Sequence, residues 1–84
     1  MPGEVKIDDF KNIGGSALLI VGKVESGDIL EGDVGKTYKG KKCAVVKIEK
    51  DGIRVSRASE EETVNFWIKY IVPADIATGE SLFF

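Results

Sequence analysis

The chain contains no histidine and no glutamine, only one cysteine (Cys43), one tryptophan, two prolines and two asparagines (Asn12 and Asn65). Each scarcity closes off a class of chemistry. Without histidine the commonest general base and the usual zinc ligand sets are missing, so any catalytic role would fall to carboxylates and lysines. A lone cysteine excludes an internal disulfide and is expected to pack as a small apolar group, although Lys41 and Lys42 would lower its pKa if it were exposed. No apolar run approaches the ~20 residues of a membrane-spanning helix, and Met1-Pro2-Gly3-Glu4 shows no signal or transit character. The expectation is a cytoplasmic protein. Glu60-Glu61-Glu62 lacks the ligand spacing of a calcium loop and reads as a solvated loop. No catalytic residue, metal or cofactor is expected, and the chain is not expected to be an enzyme.

What is present is a globular composition, with 43% hydrophobic and 31% charged residues in 84. A chain of this length forms one domain, residues 1–84, and buries only about 60–65% of its extended surface on folding. Abundant Glu and Lys in the absence of Gln resemble the bias of proteins from hot environments. The net charge of −2 hides an uneven distribution. From Val34 to Arg57 eight cations face only Glu49 and Asp51, so this segment carries +6 and the remainder −8. A basic hairpin sits on an acidic body.

The hydrophobic pattern is that of short strands. Val5 and Ile7 alternate with polar neighbours and predict a first strand ending near Asp8-Asp9-Phe10, followed by a loop at Asn12, Gly14 and Gly15. Ala17 to Glu25 predicts a second strand, whose five consecutive apolar residues imply that both faces are covered at that end. Gly22, Gly27 and Gly32 are placed at sharp turns, because glycine has no Cβ to clash there. A short segment runs from Val34 to Tyr38. Cys43 to Lys50 and Ile53 to Ala58 then form a hairpin about Asp51-Gly52, which suits a two-residue type I′ turn. Its register pairs Lys50 with Ile53, Glu49 with Arg54, Ile48 with Val55, Lys47 with Ser56 and Val46 with Arg57. Ile48 and Val55 share the inner face, and Glu49 and Arg54 form an outer charge pair.

Thr63 to Val72 alternates strictly, with Val64, Phe66, Ile68 and Tyr70 on one face and Trp67, Lys69 and Ile71 on the other. Pro73 ends it, Ala74 to Ala77 forms a single turn, and Thr78-Gly79-Glu80 turns into a closing strand at Ser81 to Phe84. No stretch shows ten residues of helical periodicity. Six to seven short strands separated by regular turns predict an all-β fold, a small closed antiparallel Greek-key β-barrel.

Several segments carry a family likeness in the right order. Ile7-Asp8-Asp9-Phe10, Ile13 to Gly22, Gly22-Lys23-Val24-Glu25-Ser26-Gly27 through Ile29 to Gly32-Asp33, Val45 to Glu49, Val64 to Ile68, and Asp75-Ile76-Ala77-Thr78-Gly79-Glu80-Ser81-Leu82 together resemble the second, β-barrel domain of translational GTPases such as elongation factor Tu. The resemblance implies a barrel that in full-length factors helps hold the aminoacyl-tRNA acceptor end or contacts the ribosome. The family's GTPase domain and third barrel have no counterpart in this sequence. The Gly-Arg-Gly before the family's second strand reads here as Gly14-Gly15-Ser16, or as Gly15-Ser16-Ala17 in a register shifted by one, without its arginine in either.

Three features invite function. Gly32-Asp33-Val34-Gly35-Lys36-Thr37 looks like a phosphate loop, but Leu30 stands where the motif needs its first glycine, so no nucleotide is expected. Lys36, Lys39, Lys41, Lys42, Lys47 and Arg54 form a candidate RNA-binding set, for tRNA, ribosomal RNA or a ribonucleoprotein; the alternative is a charged edge that keeps the protein soluble. Trp67, Lys69 and Ile71 form a candidate interface for a base, another protein chain or a second copy, unless a terminal segment covers them. Phe83-Phe84 either closes the barrel against Leu18 or Ile20 or docks into a partner.

Overall fold

The structure, a computed structural model, describes residues 3–14 and 17–84. Among the described residues nine strands appear in chain order: β1 (Glu4–Asn12), β2 (Ala17–Ser26), β3 (Ile29–Leu30), β4 (Val34–Lys36), β5 (Lys42–Lys50), β6 (Ile53–Val55), β7 (Arg57–Ala58), β8 (Thr63–Lys69) and β9 (Ser81–Phe83). Among the described residues a single 3₁₀ turn spans Pro73–Asp75, which overlaps the turn expected at Ala74 to Ala77 and begins one residue earlier. Hydrogen bonding runs β4-β9-β1-β2-β8-β5-β6, and β4 also pairs with β5. That last pairing closes six antiparallel strands into a barrel, with β6 an added strand. Among the described residues no helix is long and apolar enough to cross a membrane.

Period-two patterning explains which side chains go inside. Along β2 the buried residues are Leu18, Ile20, Gly22 and Val24, and along β8 they are Val64, Phe66 and Ile68. Their registers align, with Leu18 opposite Ile68, Ile20 opposite Phe66 and Gly22 opposite Val64. Ile7, Ile29, Ile48 and Leu82 complete the centre around Phe66, which is fully buried. The outer residues Leu19 and Val21 are half-buried. Leu19 lies beside Trp67 and Val21 beside Asn65, so cross-strand neighbours shield this face in part.

Closure depends on β9, which pairs with β1 through Leu82 and Val5 and with β4 through Phe83 and Lys36. Gly3 and Phe84 exchange two backbone hydrogen bonds of 2.8 Å. The C-terminal segment therefore does close the barrel, but Leu82 is the buried residue and Phe83 points outward. Phe84 packs beside Gly35, where a Cβ would come within 2.6 Å of its Cδ1. Neither phenylalanine belongs to a strand adjacent to Leu18 and Ile20, which lie on β2.

The Asp51-Gly52 turn has positive φ at both residues, 54° and 80°, as type I′ requires. Lys50–Ile53, Glu49–Arg54 and Ile48–Val55 pair as expected. Beyond Val55 the expected register fails. Val46 bulges out of the β5–β8 ladder, and Arg57 pairs with Leu30 of β3 rather than with Val46. Ser56 accepts from the Glu31 N–H and is not the partner of Lys47. The chain leaves β5 because Ile29 and Ala58, both fully buried, bring β3 and β7 together over the core.

Gly27, Gly32 and Gly79 take positive φ of 70°, 91° and 90°, as turn glycines do. Gly22 is not a turn residue. It lies inside β2, opposite the irregularity in β1 between Ile7 and Asp9. A Cβ there would meet Val5 Cγ1 at 2.5 Å and the Lys6 carbonyl at 3.2 Å, so close approach rather than turning demands glycine. The motif's missing arginine falls at Gly15-Ser16, and the expected start of the chain at Met1-Pro2; both lie outside the described residues.

Two outcomes follow from this packing. Gly22→Ala overpacks the β1–β2 contact and is expected to lower unfolding free energy by about 1–3 kcal/mol in urea; an unchanged midpoint contradicts it. Cys43 is fully buried, and burial pushes its thiol up to about 11. At pH 8 the native protein is expected to react with a thiol reagent roughly a hundredfold more slowly than the unfolded chain. Equal rates contradict the burial.

Candidate nucleic-acid interface

The basic hairpin is largely neutralised by its own fold. Lys41 Nζ lies 2.8 Å from Asp75 Oδ2, which also accepts from the Val72 N–H at 2.8 Å. Lys47 meets Glu49 at 2.9 Å, Lys50 pairs with Glu62, and Arg57 comes within 3.8 Å of Asp28. Arg54 does not pair with Glu49. Its Nε and Nη2 instead donate to the two oxygens of Glu31, at 2.9 and 3.3 Å. Glu31 reaches it from the turn after β3, and one of its oxygens also accepts from the Ile48 N–H. The acidic body and the basic segment are thus stitched together from opposite ends of the sequence.

Glu60-Glu61-Glu62 belongs to the same stitching and is not merely solvated. Glu61 pairs with Lys23 at 3.2 Å, Glu62 also accepts from the Ser59 N–H at 2.7 Å, and Glu60 accepts from the Gly27 N–H. Three carboxyls titrate below their ordinary range for this reason. The Arg54 hydrogen bond lowers Glu31, the Lys50 hydrogen bond lowers Glu62, and the Lys41 hydrogen bond lowers Asp75, with backbone N–H donors assisting each. Because these side chains remain solvated, the pairs fix geometry more than they add stability.

Among the described residues, Lys36, Lys39 and Lys42 of the candidate RNA set form no ion pair, and neither does Lys69. Three of these four share one outer face. Lys36 on β4 is the direct cross-strand partner of Lys42 on β5, and Ala44, two residues on, pairs with both Val34 and Lys69. Like charges directly opposite are unfavourable by themselves.

Tyr70 completes that face, and the sequence pattern misplaced it. Strict alternation puts Tyr70 inside and Ile71 outside; the structure buries Ile71 and leaves Tyr70 about half exposed, at 54%. The reason is a φ of 76° at Tyr70, which ends β8 at Lys69 and flips the alternation. Ile71 therefore drops out of the candidate interface. Lys69 Nζ stands 4.9 Å and Lys42 Nζ 5.7 Å from the centre of the Tyr70 ring. Beside the ring opens a cleft of about 280 Å³, lined mainly by Asn12, Ala17, Ile71, Val72 and Pro73. A bulky residue at positive φ carries no glycine to announce it, so nothing in the alternating pattern flagged this position.

Trp67 occupies the neighbouring row, Lys11–Leu19–Trp67–Lys47, across four strands. It is half-buried, and Lys47 Nζ sits 4.4 Å from its ring centre. The outer surface of β5 and β8 thus presents two aromatic rings, each attended by lysine. Among the described residues no group of three or more His, Cys, Asp or Glu side chains is placed to hold a metal ion.

This architecture is the β-barrel fold of translation factors. The elongation factor SelB of Methanococcus maripaludis superposes on it with a TM-score of 0.91 in its apo form, at 20% identity over 99% of this chain and 18% of its own. The same factor in complex with the GTP analogue GPPNHP gives 0.91 at 20% identity, covering 99% of this chain and 19% of its own. A bacterial selenocysteine-specific elongation factor gives 0.84 at 20% identity over 96% of this chain and 14% of its own. The chain spans less than a fifth of the length of each. No protein-family model matches the sequence, and no curated protein matches it.

The charge stitching has a pH signature. The lowered carboxyls contribute stability that is complete above the unfolded carboxylate value near 4 and is lost as pH falls through the lower folded values. The melting temperature is expected to drop as pH is lowered below about 5, and to drop less in a Glu31→Gln variant. A melting temperature independent of pH in that range contradicts the pairing.

Proposed function

We propose that this barrel is a non-catalytic binding module of the translation-factor type, which holds RNA or a ribonucleoprotein in the cytoplasm through the outer face of β4, β5 and β8. The observation that carries the reading is the set of lysines on that face. Most of the hairpin's cations are matched internally, yet Lys36, Lys42 and Lys69 lie together with no carboxylate in ion-pair range and near the exposed Tyr70 ring. Unmatched cations interleaved with aromatics suit a polyanion whose bases can stack. The likeness to translation-factor barrels supports the same reading at the level of fold.

A second reading is assembly with another protein chain or a second copy. It is favoured by the partly buried apolar pair of Leu19 and Trp67 on the outer face. The two readings separate by experiment. Titrating labelled transfer RNA and ribosomal RNA fragments at increasing salt is expected to give binding that weakens steeply with salt. Absence of binding at low salt, together with a dimer seen by light scattering that Trp67→Ala dissociates, would replace the first reading by the second.

A further inference from the structure

We propose that the surface around Tyr70 is a subsite for single-stranded RNA, in which one base stacks on the Tyr70 ring at the mouth of the adjoining cleft. Lys36, Lys42 and Lys69 would hold the flanking phosphates. The proposal rests on the reading of the barrel as an RNA-binding module and assigns that function a place.

Two unfavourable features meet at this spot, and the fold needs neither. A tyrosine at φ 76° holds a conformation that glycine or asparagine would accept without strain. The ring is not retained for burial, since about half of Tyr70 is exposed. Lys36 and Lys42 face each other across β4 and β5 with no carboxylate in ion-pair range, although carboxylates match most other cations of the hairpin. Strain of this kind persists where the surrounding structure enforces it and concentrates at binding sites.

The geometry fits one class of occupant. The left-handed turn at Tyr70 carries the ring outward while Ile71 anchors the chain in the core, so the ring stands as a supported platform. Lys42 and Lys69 reach it from two different strands, at 5.7 and 4.9 Å from its centre. Their flexible stems can move to phosphates on either side while the ring takes the base. The cleft of about 280 Å³ beside the ring is mainly apolar among the described residues, which contribute Asn12 and Tyr70 as polar side chains. A base splayed from a single strand matches an exposed ring bordered by an apolar cleft and cations, whereas a duplex keeps its bases stacked away from such a ring.

The test is fluorescence anisotropy of a labelled oligouridylate of about a dozen nucleotides, with the intact protein at low salt. Tyr70→Gly is expected to weaken binding about tenfold or more, and Tyr70→Phe to stay within about twofold of wild type. Tyr70→Gly is also expected to melt no lower than wild type, since it relieves the positive φ. Lys36→Gln, Lys42→Gln and Lys69→Gln are each expected to reduce the slope of log affinity against log salt by about 0.7, and Lys6→Gln to leave it unchanged. Wild-type binding that all the Tyr70 and lysine variants retain overturns the subsite and leaves the RNA reading standing. No binding by wild type overturns both. A glutamate-rich peptide that binds as tightly as the RNA, with the same loss in Tyr70→Gly, overturns the assignment to RNA in favour of an acidic protein segment.

Discussion

Closure of the sheet is the constraint on which the rest depends. The first and last strands of the chain, β1 and β9, pair with each other, and β9 then reaches β4, which reaches β5. Only in a closed barrel do the inner faces of β2, β5 and β8 enclose Phe66, and only then are their outer faces ordered into registered rows. Gly35 permits this closure, because any side chain there would collide with the backbone and ring of the final two residues. The closing segment contributes one buried side chain, Leu82, and exposes Phe83. Phe84 packs against the core, so backbone pairing and apolar contact together hold the seam.

Charge is distributed around that frame in two ways. Five of the twelve basic residues are tied to carboxylates twelve or more positions away, such as Arg54 to Glu31 and Lys41 to Asp75. These contacts pin the β5–β6 hairpin and the Pro73 turn to the barrel. Lys36, Lys42, Lys47 and Lys69 gather where β4, β5 and β8 present their outer residues, next to Trp67 and Tyr70. A +6 segment in the sequence thus becomes, in three dimensions, a stitched hairpin with a small unmatched patch. The proposed RNA contact is assigned to this patch because charges already satisfied within the fold have less to offer a ligand.

The strand pattern made the barrel legible, since alternation in β2 and β8 and the Asp51-Gly52 turn each dictate a local geometry that tertiary packing did not override. Besides Gly22, which lies within β2 and not at a turn, three further details escaped it. The bulge at Val46 shifts one ladder without any glycine or proline to mark it. Arg54 had two acidic neighbours in prospect, Glu49 across the strand and Glu31 from another element, and only the folded chain decides between them. Tyr70 adopts a conformation that the alternating pattern assumes away, and so Tyr70 and Ile71 exchange faces. The lysines could be identified from the sequence, but the separation of matched from unmatched cations could not, because it rests on which carboxylates the fold brings to each, and most of these lie twelve or more positions away. The translation-factor likeness was legible for a different reason, as an order of short motifs whose spacing the barrel turns preserve.

The central claim is that the outer face of β4, β5 and β8, centred on Tyr70, is where this barrel meets RNA. Amide chemical-shift mapping by NMR with added single-stranded RNA tests it most directly. The account predicts that the largest shifts fall on residues 34–36, 42–44 and 67–73 and leave β3 and β7 unmoved. Shifts confined to β3, β7 and the Gly27–Asp28 turn, or none at all with saturating RNA, would contradict it.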